Sequence, residues 1–375
     1  MAKILILGGG FGGVVAAKAL AKKLGDEHQI TLVSRDRTFV FYPALVRLAF
    51  GKCRPDDVSS DLRNTMLRRQ VNFIMAEAAR IDPEERNVIM AHGEMQGALA
   101  YDYLIYALGR RLATEQVTGF YEHANHLLSV EGALRFGEAA GQFHEGAAVI
   151  GQCPGARLPV PVYETAFALA RLLEERSERN RARITIVSPD PPGLQFGDND
   201  FALAIRSALD AHGIEFLPDF PIDSLTAGAA YNSIGQSIKF NLLMLLPPFR
   251  GSSVASHLGI TNDEGYINVD ATMRVIGVER MYAVGDTVNF SGPKLGHMAV
   301  RQAEVAAANL VAEIEGQAPV STYTHDLKLI IDEGGRDSIY MHKDLWLDEP
   351  SSVRQGRFWS WAKQMHEKYW GVVHS

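Results

Sequence analysis

The segment KILILGGGFGGVVAAKALAKKLGDEHQITLVSRD, beginning at Lys3, constrains the fold of this chain more than any other stretch. It reads as strand, glycine-rich turn, helix, turn and strand. Gly8, Gly10 and Gly13 fall in a G-x-G-x-x-G spacing directly between the first strand and the helix. Gly8 permits the tight turn, Gly10 lets a pyrophosphate approach the backbone, and Gly13 lets helix and strand pack closely. The helix N-terminus then faces the phosphates. A complete βαβ unit carrying this spacing predicts a bound dinucleotide. The position that meets the adenosine ribose lies about 20 residues beyond the last glycine. It is held here by Ser34, followed by Arg35 and Asp36. Serine hydrogen-bonds a ribose hydroxyl less strongly than a carboxylate does. Arg35 either stacks on adenine, meets a phosphate, or is a solvated surface arginine.

A second α/β unit opens near residue 147 with AAVIGQCPGARLPVPVYETAFALA, and its second strand lies in RARITIVSPDP. A nicotinamide site wants another tight glycine turn flowing straight into a helix. Pro154, Pro159 and Pro161 stand in that turn instead. They lack N–H donors and hold their neighbours extended, so this backbone makes a poor pyrophosphate cradle. The following strand ends in Ser188-Pro189, with no acid at its tip for a ribose. The second unit therefore reads as a dinucleotide fold whose nucleotide site has been rebuilt.

The 375 residues are enough for two or three domains, and 47% hydrophobic with 22% charged residues is ordinary globular composition. A net charge of −7 gives no reason to expect a nucleic-acid partner. Cys53 and Cys153 are the only cysteines, without C-x-x-C or Cys/His ligand spacing, so a metal or iron–sulfur site is not expected. No signal peptide precedes the first strand, and the longest uncharged apolar run, FNLLMLLPPF, is too short to span a bilayer. The expectation is a cytoplasmic protein, soluble or peripheral on the cytoplasmic membrane.

Three motifs resemble those of the two-dinucleotide-domain flavoprotein oxidoreductases: the first glycine turn, YDYLIYALGR ending at Arg110, and MYAVGD ending at Asp286. The middle motif departs from the pattern, with Leu108 where threonine is usual. The resemblance implies FAD in the first site. It implies backbone contacts from Ala78, Ala107 and Gly109, and Gly285-Asp286 at the ribityl and pyrophosphate region. It also implies a helix near Lys294 aimed at the flavin ring. A positive helix end and a lysine there stabilise anionic reduced flavin. Within this superfamily the chain is most similar to sulfide:quinone oxidoreductase and its relatives, with type II NADH dehydrogenase further off. FVFYPALVRLAFGK (with Pro43), VSPDPPGLQFG, LLPPFRG, GPKLGHMAVRQAEVAA and GRFWSWAKQMHEKYW carry that likeness in order along nearly the whole chain.

What the likeness implies is an α/β architecture of two Rossmann-like domains, three-layered ββα, plus a C-terminal segment ending in an amphipathic helix. Residues 1–113 and 255–320 form the FAD-binding domain, 114–254 the second domain, and 321–375 the C-terminal segment. In the family the proline-bearing loop lines a pocket over one flavin face where a sulfur substrate is oxidised. Glu164, in the Tyr163-Glu164 pair, matches a glutamate assigned to proton handling; a carboxylate at a helix start also merely favours the dipole. Phe249 matches an aromatic residue that meets the quinone. The two family redox cysteines are missing: their slots hold Leu158 and Leu329. Cys153, ten positions before Tyr163, reaches the flavin only if the loop is altered, and Cys53 reads as a buried structural thiol. Without a thiol pair, polysulfide is not grown by thiol–disulfide exchange.

In the tail, Phe358, Trp361, Ala362, Met365 and Tyr369 recur at helical spacing, with Trp359 and Trp370 at the shoulders and Arg357, Lys363, Gln364 and Lys368 opposite. Basic residues and tryptophans suit a bilayer interface; the same face also suits packing on the domain or on a second subunit, so a homo-oligomer stays open. His123 and His126 read as surface histidines. The resulting expectation is an FAD enzyme passing electrons from a small sulfur donor to a quinone. An NADH:quinone oxidoreductase and a non-catalytic FAD-binding electron-transfer partner remain as alternatives.

Overall fold

The computed structural model describes residues 1–335, 337–347 and 349–374, without the side chains of residues 195, 366–369 and 371–374. Lys368 and Tyr369 of the tail pattern thus lie outside the described side chains.

The first glycine unit sits in the middle of a seven-stranded sheet. Its order is Met281–Ala283, Tyr103–Tyr106, Lys3–Leu7, Gln29–Ser34, Asn72–Asp82, Asn87–Gly93 and Gly97–Ala100. The first five strands pair in parallel and the last two add on antiparallel. Ile4 to Leu7 are all buried, as a strand covered on both faces requires. The helix Phe11–Leu24 packs on this sheet and the helix Gly296–Ile314 packs on that helix, so the early and late parts of the chain build one domain. Their approach depends on small residues. A Cβ on Gly296 would stand 3.3 Å from the Phe11 ring of the first helix, and one on Gly12 would stand 2.9 Å from the Val284 side chain beyond the strand Met281–Ala283.

The second domain has a four-stranded parallel sheet, ordered Glu215–Leu217, Ala182–Val187, Gly146–Gln152 and Leu242–Leu246. The helix Val160–Glu175 runs from the proline-bearing loop. A small antiparallel sheet (Ile222–Thr226, Ala229–Asn232, Ser237–Lys239) follows. The stretch before Asp286 contains only the three-residue strand Met281–Ala283. The rest is turn held by isolated bridges such as Val269–Val275 and Arg274–Tyr282. After residue 321 comes an antiparallel sheet the sequence did not announce (Asp326–Asp332, Ser338–Asp344, Ser352–Gln355). The helix Arg357–His374 ends the chain.

Candidate flavin site and its electrostatics

The glycine turn has the geometry that its spacing predicts. Gly8 has φ +111°, and a Cβ on it would lie 2.1 Å from the carbonyl oxygen of Ala107. A Cβ on Gly13 would lie 1.9 Å from the carbonyl oxygen of Gly8, so only glycine lets helix and strand meet here. Gly10 is different: nothing lies within 4 Å of its Cβ position. It stands at the start of the Phe11–Leu24 helix, which has no side-chain cap and no acidic residue in its first turn. The helix's leading amides are left for an anion. Ser34 is buried at the end of its strand against Gly9, while Arg35 is solvent-exposed and pairs with Asp36 at 3.5 Å. Ala78 lies at an irregularity in its strand, and Gly109 has φ +67°. Pro43 sits exposed in a short 3-10 turn, Tyr42–Ala44.

The opposite wall is formed by the late motifs. Gly285 donates its N–H to Gln302 Oε1 at 2.7 Å, which fixes the Gly285-Asp286 turn to the Gly296–Ile314 helix. Asp286 and Lys294 line one narrow cleft with Phe290, Pro293, Met298 and Gln302. Asp286 makes an ion pair with Arg110. Arg110 lies 4.2 Å over the ring of Phe249, and its Nε has no hydrogen-bond partner. This places an orphaned cationic donor at the end of the YDYLIYALGR motif. Lys294 is buried, donates to the carbonyl of Val288, and lies 4.5 Å over the ring of Tyr266. Burial, then the neighbouring charges of Arg157 and Arg110, hold its pKa well below the ordinary lysine range. An open glycine cradle, an uncapped helix start and a cationic far end fit an elongated, doubly anionic dinucleotide. FAD would be held by Gly8–Gly13 at its pyrophosphate, by Ser34 at its ribose, and by Asp286 and Lys294 toward its flavin end.

The second-domain loop is turned to other uses. The Cys153 amide donates to the carbonyl of Leu246 at 2.9 Å, and the Ala156 amide to that of Cys153 at 3.1 Å. Ser188 Oγ, at the tip of the next strand, accepts from Gln152 Nε2 at 3.3 Å and from the Asp190 amide at 3.2 Å. Two of the loop amides and the strand tip that would receive a nucleotide are engaged within the protein.

Several expected site residues are elsewhere. Cys153 is wholly enclosed among Val149, Val187 and Leu245, and burial pushes its thiol far up. A nucleophile must reach the thiolate, so this position does not suit the catalytic role expected for it. Tyr163 points into the second-domain core, stacked on Phe216, with its hydroxyl accepting from the Gly193 amide at 3.1 Å. It does not face a redox pocket. Phe249 is 0% exposed and lies beneath Arg110, which removes it as an open quinone contact. His126 is half-buried, not on the surface; it stacks on Phe120, and burial lowers its pKa.

Glu164 lies where three elements meet. It is buried, accepts the Asp332 amide at 2.9 Å and pairs with Lys363 of the last helix. Burial raises its carboxyl to about 7, against the opposing pull of Lys363. One turn earlier Ser360 donates to Asp332 Oδ2 at 3.0 Å, and Trp359 stacks on Tyr340 at 4.0 Å. Trp370 is buried against Phe11, Phe39 and Phe41, with ring centroids 4.9 Å from Phe11. The two tryptophans expected at the shoulders of the helix therefore face inward. The last helix spans from the second domain to the first glycine turn. Phe358, Trp361 and Met365 stay outside, 62%, 58% and 46% exposed. No described helix is long and apolar enough to cross a membrane, and no cluster of metal-ligating side chains occurs among the described residues. Arg110, Arg157 and Gln302 were not singled out by sequence. The available signals were the position of Arg110 directly after Gly109 and that of Arg157 inside the rebuilt loop.

Fold and cradle together define a dinucleotide-binding α/β protein, and the family it matches makes it a flavin-dependent oxidoreductase that uses FAD. The chain belongs to the pyridine nucleotide-disulphide oxidoreductase family, whose model matches residues 2–303. Sulfide-quinone reductase of Aquifex aeolicus is 25% identical over 98% of this chain and 90% of that protein. Type II NADH:quinone oxidoreductase of Staphylococcus haemolyticus is 22% identical over 90% of this chain and 89% of that protein. In fold, the X-ray structure of the Aquifex sulfide:quinone oxidoreductase matches 99% of this chain and 90% of its own, with a TM-score of 0.91 at 23% identity. NDH2 of Plasmodium falciparum in complex with NADH matches 100% and 97%, with a TM-score of 0.78 at 15% identity.

Proposed function

We propose that this enzyme passes two electrons from a small sulfur donor, hydrosulfide or a related anion, to a quinone at a membrane surface. FAD, when bound, accepts the electron pair from one partner and delivers it to the other. With hydrosulfide and a quinone Q the net change is HS− + Q + H+ → S0 + QH2, which balances atoms and charge.

The observation that carries this reading is the second-domain loop. The Cys153 and Ala156 amides and the Ser188 hydroxyl are engaged within the protein and the three prolines lack N–H donors, which makes this turn a poor cradle for a nicotinamide dinucleotide and supports a smaller donor. The names of the two quinone-reducing relatives support the acceptor. Cys53 and Cys153 stand in different hydrophobic clusters, so the donor gives up its electrons without thiol–disulfide exchange between protein cysteines. Burial raises the Glu164 carboxyl to about 7, which suits it to proton uptake near neutral pH. The outward row of Phe358, Trp361 and Met365 lays the last helix against the bilayer interface, where quinones reside. Type II NADH:quinone oxidoreductases are also among the relatives, which makes NADH the competing donor.

Anaerobic stopped-flow mixing of the holoenzyme with sulfide, with NADH and with buffer decides between them. Sulfide bleaches the flavin band and NADH does not. Fast bleaching by NADH overturns the reading.

A further inference from the structure

The rebuilt loop reaches into the first domain at Arg157, through both its side chain and its backbone. Arg157 Nε donates to the carbonyl of Gly292 at 2.9 Å, and its Nη2 donates to the carbonyls of Gly292, at 2.7 Å, and Phe290. The Arg157 carbonyl in turn accepts the Lys294 amide at 2.7 Å. The turn carrying Lys294 is thus tied from both sides to residue 157 of the other domain. The guanidinium also lies 5.5 Å over the ring of Tyr266, the same ring that carries the Lys294 ammonium at 4.5 Å. Arg110 completes the group.

Three basic side chains gather here against few carboxylates, and burial with the charges of Arg157 and Arg110 disfavours the charged form of Lys294 until an anion forms beside it. Asp286 pairs with Arg110, and Glu264 pairs with the more exposed Arg250 at 3.0 Å. Crowding like charges in a partly desolvated site is costly and persists only when the surroundings fix it. The carbonyls of residues 288, 290 and 292 do so. Such a fixed positive pole stabilises an anion that forms next to it.

We propose that Arg157 is a positioning residue for flavin reduction: it anchors the Lys294 turn and adds its own charge to the pole that stabilises anionic reduced flavin. The proline-stiffened loop, no longer a nucleotide cradle, becomes a strut between the domains. This rests on the reading that Lys294 faces the flavin.

The test is the two-electron midpoint potential of bound FAD, measured by dye equilibration on wild-type, Lys294→Met, Arg157→Gln and Arg157→Lys holoenzymes. Arg157→Gln is expected to lower the reduced-to-oxidised ratio at fixed potential about tenfold, a shift of about 30 mV to more negative values for a two-electron couple. Arg157→Lys keeps the charge but cannot bridge two carbonyls in one plane, and falls between Arg157→Gln and wild type. Lys294→Met shifts in the same direction. If Lys294→Met shifts the potential while Arg157→Gln, with full FAD content, stays at wild type, the strut is refuted. If neither shifts, the placement of Lys294 beside the flavin fails, and the proposal with it. Should Arg157→Gln not retain FAD, Arg157→Lys decides: a wild-type potential there overturns the proposal.

Discussion

Gly10 and Gly13 stand three residues apart in one turn, yet alanine at each should act on a different property. Gly10 has φ −83° and ψ −170°, a backbone any residue adopts, and no protein atom lies within 4 Å of its Cβ position. As far as the protein is concerned, Gly10→Ala is neutral or stabilising by about 0.4–1 kcal/mol, through the unfolded chain. Its methyl group, however, enters the space left for the pyrophosphate. A loss of FAD affinity of at least about tenfold, or about 1.4 kcal/mol, is expected. At Gly13 the methyl carbon would be 1.9 Å from the Gly8 carbonyl oxygen where ordinary contact begins at 3.4 Å, so the helix must move away from the turn by about 1.5 Å. Overpacking of this kind costs about 1–3 kcal/mol. With an unfolding entropy of about 2.1 cal/mol/K per residue, or about 0.8 kcal/mol/K for a chain of this size, Tm falls by about 1–4 °C. Thermal unfolding of apo- and holoprotein, together with FAD content, separates the two effects. Gly10→Ala keeps the apoprotein Tm and loses FAD; Gly13→Ala loses both. A Gly10→Ala protein binding FAD as tightly as wild type would refute the placement of the cofactor over this turn.

Cys153→Ala should cost about 1 kcal/mol of stability for the small cavity it leaves and leave turnover per bound FAD unchanged in a steady-state quinone-reduction assay; lost turnover in folded, flavin-loaded protein would restore the thiol as a participant. Replacing Phe358, Trp361 and Met365 together by serine removes an exposed row and so changes Tm little, while co-sedimentation with liposomes falls; undiminished sedimentation would mean that another surface meets the membrane. Glu164 ordinarily titrates near 4.5 and here near 7. Between those values the folded chain holds a proton the unfolded chain has lost. The contribution of Glu164 to stability is therefore greatest below about 4.5 and declines as pH rises through about 7, by an amount on the order of 3 kcal/mol at most. Unfolding curves across this range should show the decline in wild type and a flatter profile in Glu164→Gln; identical profiles would contradict it.

The first domain was legible because its signal is steric and local. The spacing of Gly8, Gly10 and Gly13 encodes two close backbone approaches and one open face, and all three are found. The prolines of the second turn were legible for the same reason, since a missing N–H is a property of the residue itself. Side-chain destinations were not. Tyr163 and Glu164 are neighbours in sequence, but successive helical residues point about 100° apart. One enters the second-domain core and the other meets Lys363, 199 residues away. Helical periodicity in the tail identified an apolar row at Phe358, Trp361 and Met365. It could not say that this row faces outward while Trp359 and Trp370 anchor the helix.

The sequence by itself pointed to a βαβ unit suited to a dinucleotide, to a second unit whose turn prolines make a poor cradle, and to leucines in the slots of the family's redox cysteines. These follow from which atoms the residues do and do not possess. Only the tertiary structure decided that Cys153 and Phe249 are enclosed, that Arg110 and Asp286 pair across the cleft, and that Arg157 reaches the Lys294 turn. Burial and charge proximity depend on segments more than a hundred residues apart meeting in space, and no local pattern in the chain carries that information.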